Sequence, residues 1–215
     1  MIILIGGFKG GSGKSTSAVC LASSLASENY DVLLVDGNAT QGTASNWMAR
    51  REDLNRELPV MTCVEKSGKL TGFLQTVRDR YDIIIVDTAG YNSVELRSSI
   101  LVADLLVTPV RVSQPDIETL VQMSEMVEEA SIMNPNLDAR ILLTNASTHP
   151  HDKETNEVKE LAVDIENMAL MSTIVYHRKV YSNAIAKGLS PLEMPKNKAQ
   201  DELKALTSEI INYAS

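Results

Sequence analysis

The chain has 215 residues, 44% of them apolar and 22% charged, the composition of an ordinary globular protein. Its 28 acidic against 20 basic residues give a net charge of −8, which argues against a protein that coats nucleic acid over its whole surface and leaves room only for a local basic patch. No run approaches the ~18 apolar residues of a membrane span, and the apolar start at residues 1–5 lacks the basic leader of a signal peptide.

In chain order, residues 2–8 read as a first strand and 14–28 as a helix, apolar at Val19, Leu21, Ala22, Leu25 and Ala26. The run 32–35 is a strand buried on both faces, ending at Asp36. A small, polar loop leads to a helix over 43–51 that carries Trp47. A strand over 59–64 and a helix over 70–77 follow, then a buried strand over 83–86 ending at Asp87. Residues 94–102 read as a helix and 103–107 as a strand stopped by Pro109. A long helix over 116–133 has Pro115 at its start and Pro135 past its end. A strand over 139–143 ends at Thr144-Asn145, and a helix over 157–168 precedes a strand over 170–175. Helices over 180–187 and 198–214 close the chain. Strand and helix alternate throughout, with no repeat and no dividing linker. The expected fold is α/β: a mostly parallel β-sheet with helices on both faces, in a single domain over 1–215.

Ligands in such sheets bind at the carboxyl ends of the strands. Those ends here carry the most informative stretch of the chain, Phe8-Lys9-Gly10-Gly11-Ser12-Gly13-Lys14-Ser15-Thr16, between a strand and a helix. Glycines let successive backbone N–H groups close round a phosphate, and the helix start aims its positive dipole end at the same place. Lys14 is expected to reach the β- and γ-phosphates, with Gly10, Gly11, Ser12, Gly13, Ser15 and Thr16 completing the cradle. The Ser15 hydroxyl is a candidate Mg²⁺ ligand, and Asp87, before Thr88-Ala89-Gly90, is the carboxylate expected to hold the same ion. Gly90 allows that loop to swing when a γ-phosphate arrives.

The first glycine of the general phosphate-loop pattern falls at Phe8. What stands is K-G-G-x-G-K-[ST], with Lys9 five residues before Lys14. This deviant Walker A loop resembles that of the ParA/MinD ATPases. The resemblance extends through Pro109 to Asp116, Asn145, and the stretch Arg178-Lys179-Val180-Tyr181 with Ala184 and Gly188, which is similar to small plasmid-partition members. It implies a cytoplasmic ATPase using ATP and Mg²⁺. It implies an ATP-dependent homodimer in which Lys9 reaches the partner's nucleotide, and an Asp36 that orients the attacking water. It further implies that Asn145 reads adenine, with the loop Tyr176-His177-Arg178, Tyr176 foremost, walling the base. A small DNA-binding, ParB-like adaptor would stimulate hydrolysis. The dimer would bind DNA without sequence preference, placing it on the nucleoid during DNA segregation. The switch loop departs from the family's D-x-D-P-Q: here it reads Asp36-Gly37-Asn38-Ala39-Thr40-Gln41, so slow or altered hydrolysis is expected.

Candidate DNA contacts are Arg178, Lys179, Lys187, Lys196 and Lys198. Positioning of a non-DNA cargo is an alternative the residues leave open. A metabolic phosphotransferase, similar to dethiobiotin synthetases, fits less well because those lack the early lysine. Iron-protein-like electron transfer needs cysteines that 88–99 lacks. Cys20 and Cys63 have no ligand companions and read as reduced core thiols. His149-Pro150-His151 reads as a surface turn rather than a metal site. The amphipathic tail over 203–213 carries Glu209 and no basic face, so it reads as a docked helix and not a membrane anchor.

Overall fold

The computed structural model describes residues 1–38, 40–54, 56–149 and 152–213, leaving aside the side chains of Gln114 and Pro115. Its strands are β1 (Ile2–Ile5), β2 (Val32–Asp36), β3 (Thr62–Glu65), β4 (Ile83–Asp87), β5 (Leu105–Arg111), β6 (Asp138–Ala146) and β7 (Ala169–Tyr176). They form one sheet in the order β3-β2-β4-β1-β5-β6-β7. Every pairing is parallel, so the mostly parallel expectation is met in full. The helices are α1 (Lys14–Ser27), α2 (Thr43–Glu52), α3 (Thr71–Val77), α4 (Val94–Ile100), α5 (Gln114–Ser131), α6 (Glu154–Val163), α7 (Lys179–Ile185) and α8 (Ala199–Tyr213).

The alternation of side chains along β1 divides the core. Ile2 and Leu4 join α3, α4, α5 and α6 on one face, while Ile3 and Ile5 join α1, α2 and α8 on the other. All four are at most 1% exposed. At ~1.5–3 kcal/mol per fully buried aliphatic side chain, this strand anchors both faces at once. Cys20 is buried as expected and Cys63 only partly, both as free thiols.

Several boundaries move. β1 stops at Ile5, before the loop glycines, rather than at residue 8. β5 runs through Pro109 to Arg111 instead of stopping at 107. The Val107 carbonyl accepts from Gly6 N–H, so by alternation the missing N–H of Pro109 faces past the end of β1, where the ladder needs no donor. α6 begins three residues earlier than expected because Asp152 accepts the Glu154 N–H and the Thr155 hydroxyl. Pro150 and His151 of the expected turn lie outside the described residues.

Candidate active site at the carboxyl edge of the sheet

The glycine-rich loop leaves β1 and enters α1 with Gly11 at φ 74° and Gly13 at φ 94°, left-handed conformations that favour glycine. The Ser17 N–H closes on the Gly13 carbonyl, so α1 starts at once and its first amides face the loop. From β6, two strands away from β1, the Thr144 hydroxyl donates to the Ser12 carbonyl at 2.8 Å and props the loop from behind. The Lys14 ammonium turns back on its own loop and donates to the Lys9 carbonyl at 2.6 Å. Burial pushes Lys14 below the ordinary lysine value, against the pull of Asp87 and Asp116. A cation so placed gains by meeting an anion.

A cleft of about 390 Å³ opens in front of this loop. Gly10, Gly11, Gly13, Lys14, Ser15 and Thr16 line one wall; the loop after β2 and the Thr88-Ala89-Gly90-Tyr91 turn line the other. Ser12 is buried, donates its hydroxyl to the Lys9 carbonyl at 3.3 Å and does not line this cleft. Tyr91, 59% exposed at the cleft mouth, was not legible as a site residue. An aromatic directly after the loop glycine was its only signal.

Asp36 and Asp87 end adjacent strands in register and are both fully buried, but their environments differ. Asp36 accepts the Asn38 N–H at 3.0 Å and the Ser45 N–H at 2.8 Å, so both oxygens are engaged. It ties down the switch loop and caps the first turn of α2. It does not line the cleft; Asn38 does, with Gln41, and their side chains are hydrogen-bonded to one another. The Asp36 carboxylate thus holds the loop from behind, while the amides of Asn38 and Gln41 face the cleft.

Asp87 is the reverse case. Neither of its oxygens has a well-formed hydrogen bond. Burial pushes the carboxyl up to about 7, while the nearby Ser15 hydroxyl and Lys14 ammonium pull it down. A buried, orphaned carboxylate beside a serine hydroxyl fits a small hard cation. Mg²⁺ typically uses one or two protein oxygens and takes the rest from phosphates and water. Among the described residues no three His, Cys, Asp or Glu side chains gather as an all-protein metal site.

A second cavity, about 550 Å³, adjoins the back of the loop and is more apolar. Asn145, Tyr176, His177 and Tyr181 line it together with Gly13 and Thr16. The expected nucleobase residues are thus brought next to the phosphate loop. The Ser113 hydroxyl donates to Asp116 at 2.6 Å, and Arg111 reaches the same carboxylate, so the Pro109-to-Asp116 stretch closes on itself.

The expected DNA cluster is broken up. Arg178 pairs with Glu202 at 2.5 Å and lies 5.5 Å from the Tyr176 ring centroid, lining the second cavity. Its charge is already matched, which removes it from the candidates. Lys179, Lys187, Lys196 and Lys198 remain exposed. Among the described residues no helix is long and apolar enough to cross a membrane. α8 docks through Leu203, Leu206 and Ile210.

The parallel sheet, the left-handed glycine loop at its carboxyl edge and the paired strand-end aspartates define a nucleotide-binding α/β protein of the phosphate-loop class. Residues 1–153 match the family of the ATPase MipZ, and the chain belongs to that family. The resemblance to ParA/MinD ATPases is thereby borne out. The chain is 24% identical over 213 residues, 97% of this chain and 95% of the other, to "Maintenance of carboxysome distribution protein A" of Halothiobacillus neapolitanus. It is 30% identical to the protein of the same description from Gloeobacter kilaueensis, covering 90% of this chain and 84% of that one. In fold it is similar to the septum site-determining protein MinD complexed with Mg-ADP from Pyrococcus horikoshii, with a TM-score of 0.81, 16% identity and coverage of 100% and 97%.

Proposed function

We propose that this chain is a cytoplasmic, ATP-driven positioning switch with a single ATPase domain over 1–215. The observation that carries the reading is the buried Asp87 carboxylate, with no well-formed hydrogen bond beside Ser15 and directly before the Thr88-Ala89-Gly90 turn that lines the glycine-rich cleft. Lys14 and the amides of Gly10, Gly11, Ser12 and Gly13 would bind the phosphates, with Ser15 and Thr16 at the helix start. Ser15 and Asp87 would hold Mg²⁺, which supplies charge neutralisation at the phosphates when bound. Asn145 would read adenine, and Tyr176 would wall the base. Lys9, half-exposed at the rim of the loop, would reach across an ATP-bridged homodimer to the partner's nucleotide. With amides at Asn38 and Gln41 facing the cleft, hydrolysis to ADP and phosphate would be slow and would await an adaptor protein.

The descriptions of the two relatives favour a protein compartment as cargo. DNA segregation with a ParB-like adaptor is the second reading, supported by the exposed lysines at 179, 187, 196 and 198. Both readings share non-specific DNA as the track for the ATP-bound dimer. The test is retention of purified protein on random-sequence duplex DNA with ATP, ADP or no nucleotide. ATP-dependent retention that falls steeply with salt supports the reading; retention indifferent to nucleotide contradicts it.

A further inference from the structure

At the second cavity, two side chains from neighbouring strand ends meet in a way that the phosphate chemistry does not use. Asn145 sits near the end of β6 at φ 55°, a left-handed conformation that asparagine tolerates and that turns its side chain out of the strand alternation. The β6–β7 register shifts between Leu143 and Ala146, and Ala146 then pairs with Tyr176. The next residue, His177, donates its backbone N–H to the Ala146 carbonyl at 2.8 Å. That tie fixes where the imidazole lies: His177 Nδ1 is 2.5 Å from Asn145 Oδ1, and both residues line the cavity.

We propose that His177 is a specificity-determining positioning residue: its Nδ1–H donates to Asn145 Oδ1 and locks the amide with its NH₂ group turned toward a purine base. The inference rests on the reading that Asn145 faces the nucleobase of a bound ATP. A free carboxamide can present either edge, because its O and NH₂ ends are nearly equal in size. The lock leaves one lone pair on Oδ1 and both protons on Nδ2. That pair matches an adenine edge, which shows a 6-amino donor beside a ring-nitrogen acceptor. Guanine offers a 6-oxo acceptor instead, which meets Oδ1 oxygen to oxygen. An unlocked amide could flip and donate to that oxygen. While Nδ1 carries the proton, the flip would set the His177 N–H against the Asn145 NH₂, donor against donor, and relieving that would require moving the proton to Nε2. His177 protonated at Nδ1 thus disfavours the guanine-compatible orientation without touching the base.

The test is equilibrium binding of non-hydrolysable ATP and GTP analogues to the full chain and to three variants, together with the ¹⁵N spectrum of the His177 ring. Because His177 is exposed, its variants are expected to keep the fold. In the unsubstituted chain the ring should be protonated at Nδ1. His177→Phe should reduce the ATP-to-GTP preference about tenfold, the worth of roughly one hydrogen bond. His177→Lys, whose ammonium can only donate, should restore most of it. If Asn145→Ala lowers the preference and His177→Phe does not, the lock is refuted and base reading by Asn145 stands. If neither changes it, base reading at Asn145 fails, and the lock fails with it.

Discussion

Gly90 lies so close to Gly10 that a Cβ on Gly90 would sit 2.8 Å from both the nitrogen and the Cα of Gly10. The loop after β4 and the phosphate loop therefore touch backbone to backbone, with no side chain between them. Any movement of one on meeting a phosphate is felt by the other. Gly90→Ala should force them apart, lowering nucleotide affinity at least tenfold and the melting temperature by ~3 °C. A Cβ on Gly10 meets nothing within 4 Å, so Gly10→Ala should leave the melting temperature unchanged. Calorimetry on the two variants checks the asymmetry.

Asp87 makes stability depend on pH in a definite direction. Its carboxyl is raised from an ordinary 3.8 to about 7 in the folded chain, chiefly by burial. Between those values the folded state holds a proton that the unfolded state has lost, so stability falls as pH rises through the window. The penalty is absent below about pH 4 and complete above about pH 7. Asp87→Asn should raise the melting temperature of nucleotide-free protein at pH 8 by ~5 °C, with the gain vanishing toward pH 4. The same variant should lose Mg²⁺-dependent nucleotide binding. A melting series in pH with and without Mg-ATP reads both effects.

The C-terminal part of the chain is pinned to the switch region by a buried ion pair. Arg51 and Glu193 meet at 2.6 Å with side chains 4% and 7% exposed. Arg51 also donates to the Gly188 and Pro59 carbonyls and lies 5.2 Å from the Trp47 ring centroid, while Trp47 donates to the Leu189 carbonyl. Glu193→Ala would leave a buried guanidinium without its partner and should cost about 3–5 kcal/mol. The double variant Arg51→Met, Glu193→Leu should cost less than the single one. Urea denaturation of each decides.

At the cleft, Asn38 stands where a carboxylate would face the phosphates, with Asp36 engaged behind it. An amide can hold a water but cannot take its proton. Asn38→Asp should therefore raise the basal ATPase rate about tenfold or more. Asp36→Asn should lower stability by about 1–2 kcal/mol through the loss of charged acceptors for two amides. Steady-state phosphate release and thermal melts of the two variants separate the roles.

Much of this was legible in the sequence because period and punctuation agree. Apolar runs closed by Asp36 and Asp87 gave buried parallel strands, and Gly11 and Gly13 marked the loop that needs positive φ. Pro109 misled because a missing N–H matters only where the neighbouring strand continues, and β1 has ended by then. Position at a strand end does not say which way the Asp36 carboxylate turns; the amides of Asn38 and Ser45 decide it. Arg178 looked like a free cation because Glu202 lies 24 residues away, on a different helix. His177 falls in the loop expected to wall the base, but its approach to Asn145 follows from the β6–β7 register, which no motif announces.

Lys9 is proposed to act across a nucleotide-bridged dimer, and sedimentation of the purified chain with ATP, ADP or no nucleotide, beside Lys9→Ala, is the first measurement to make. A dimer should form with ATP alone, and Lys9→Ala should still bind ATP but sediment as a monomer. A chain whose mass ignores nucleotide, or a Lys9→Ala variant that dimerises normally, would overturn this role for Lys9.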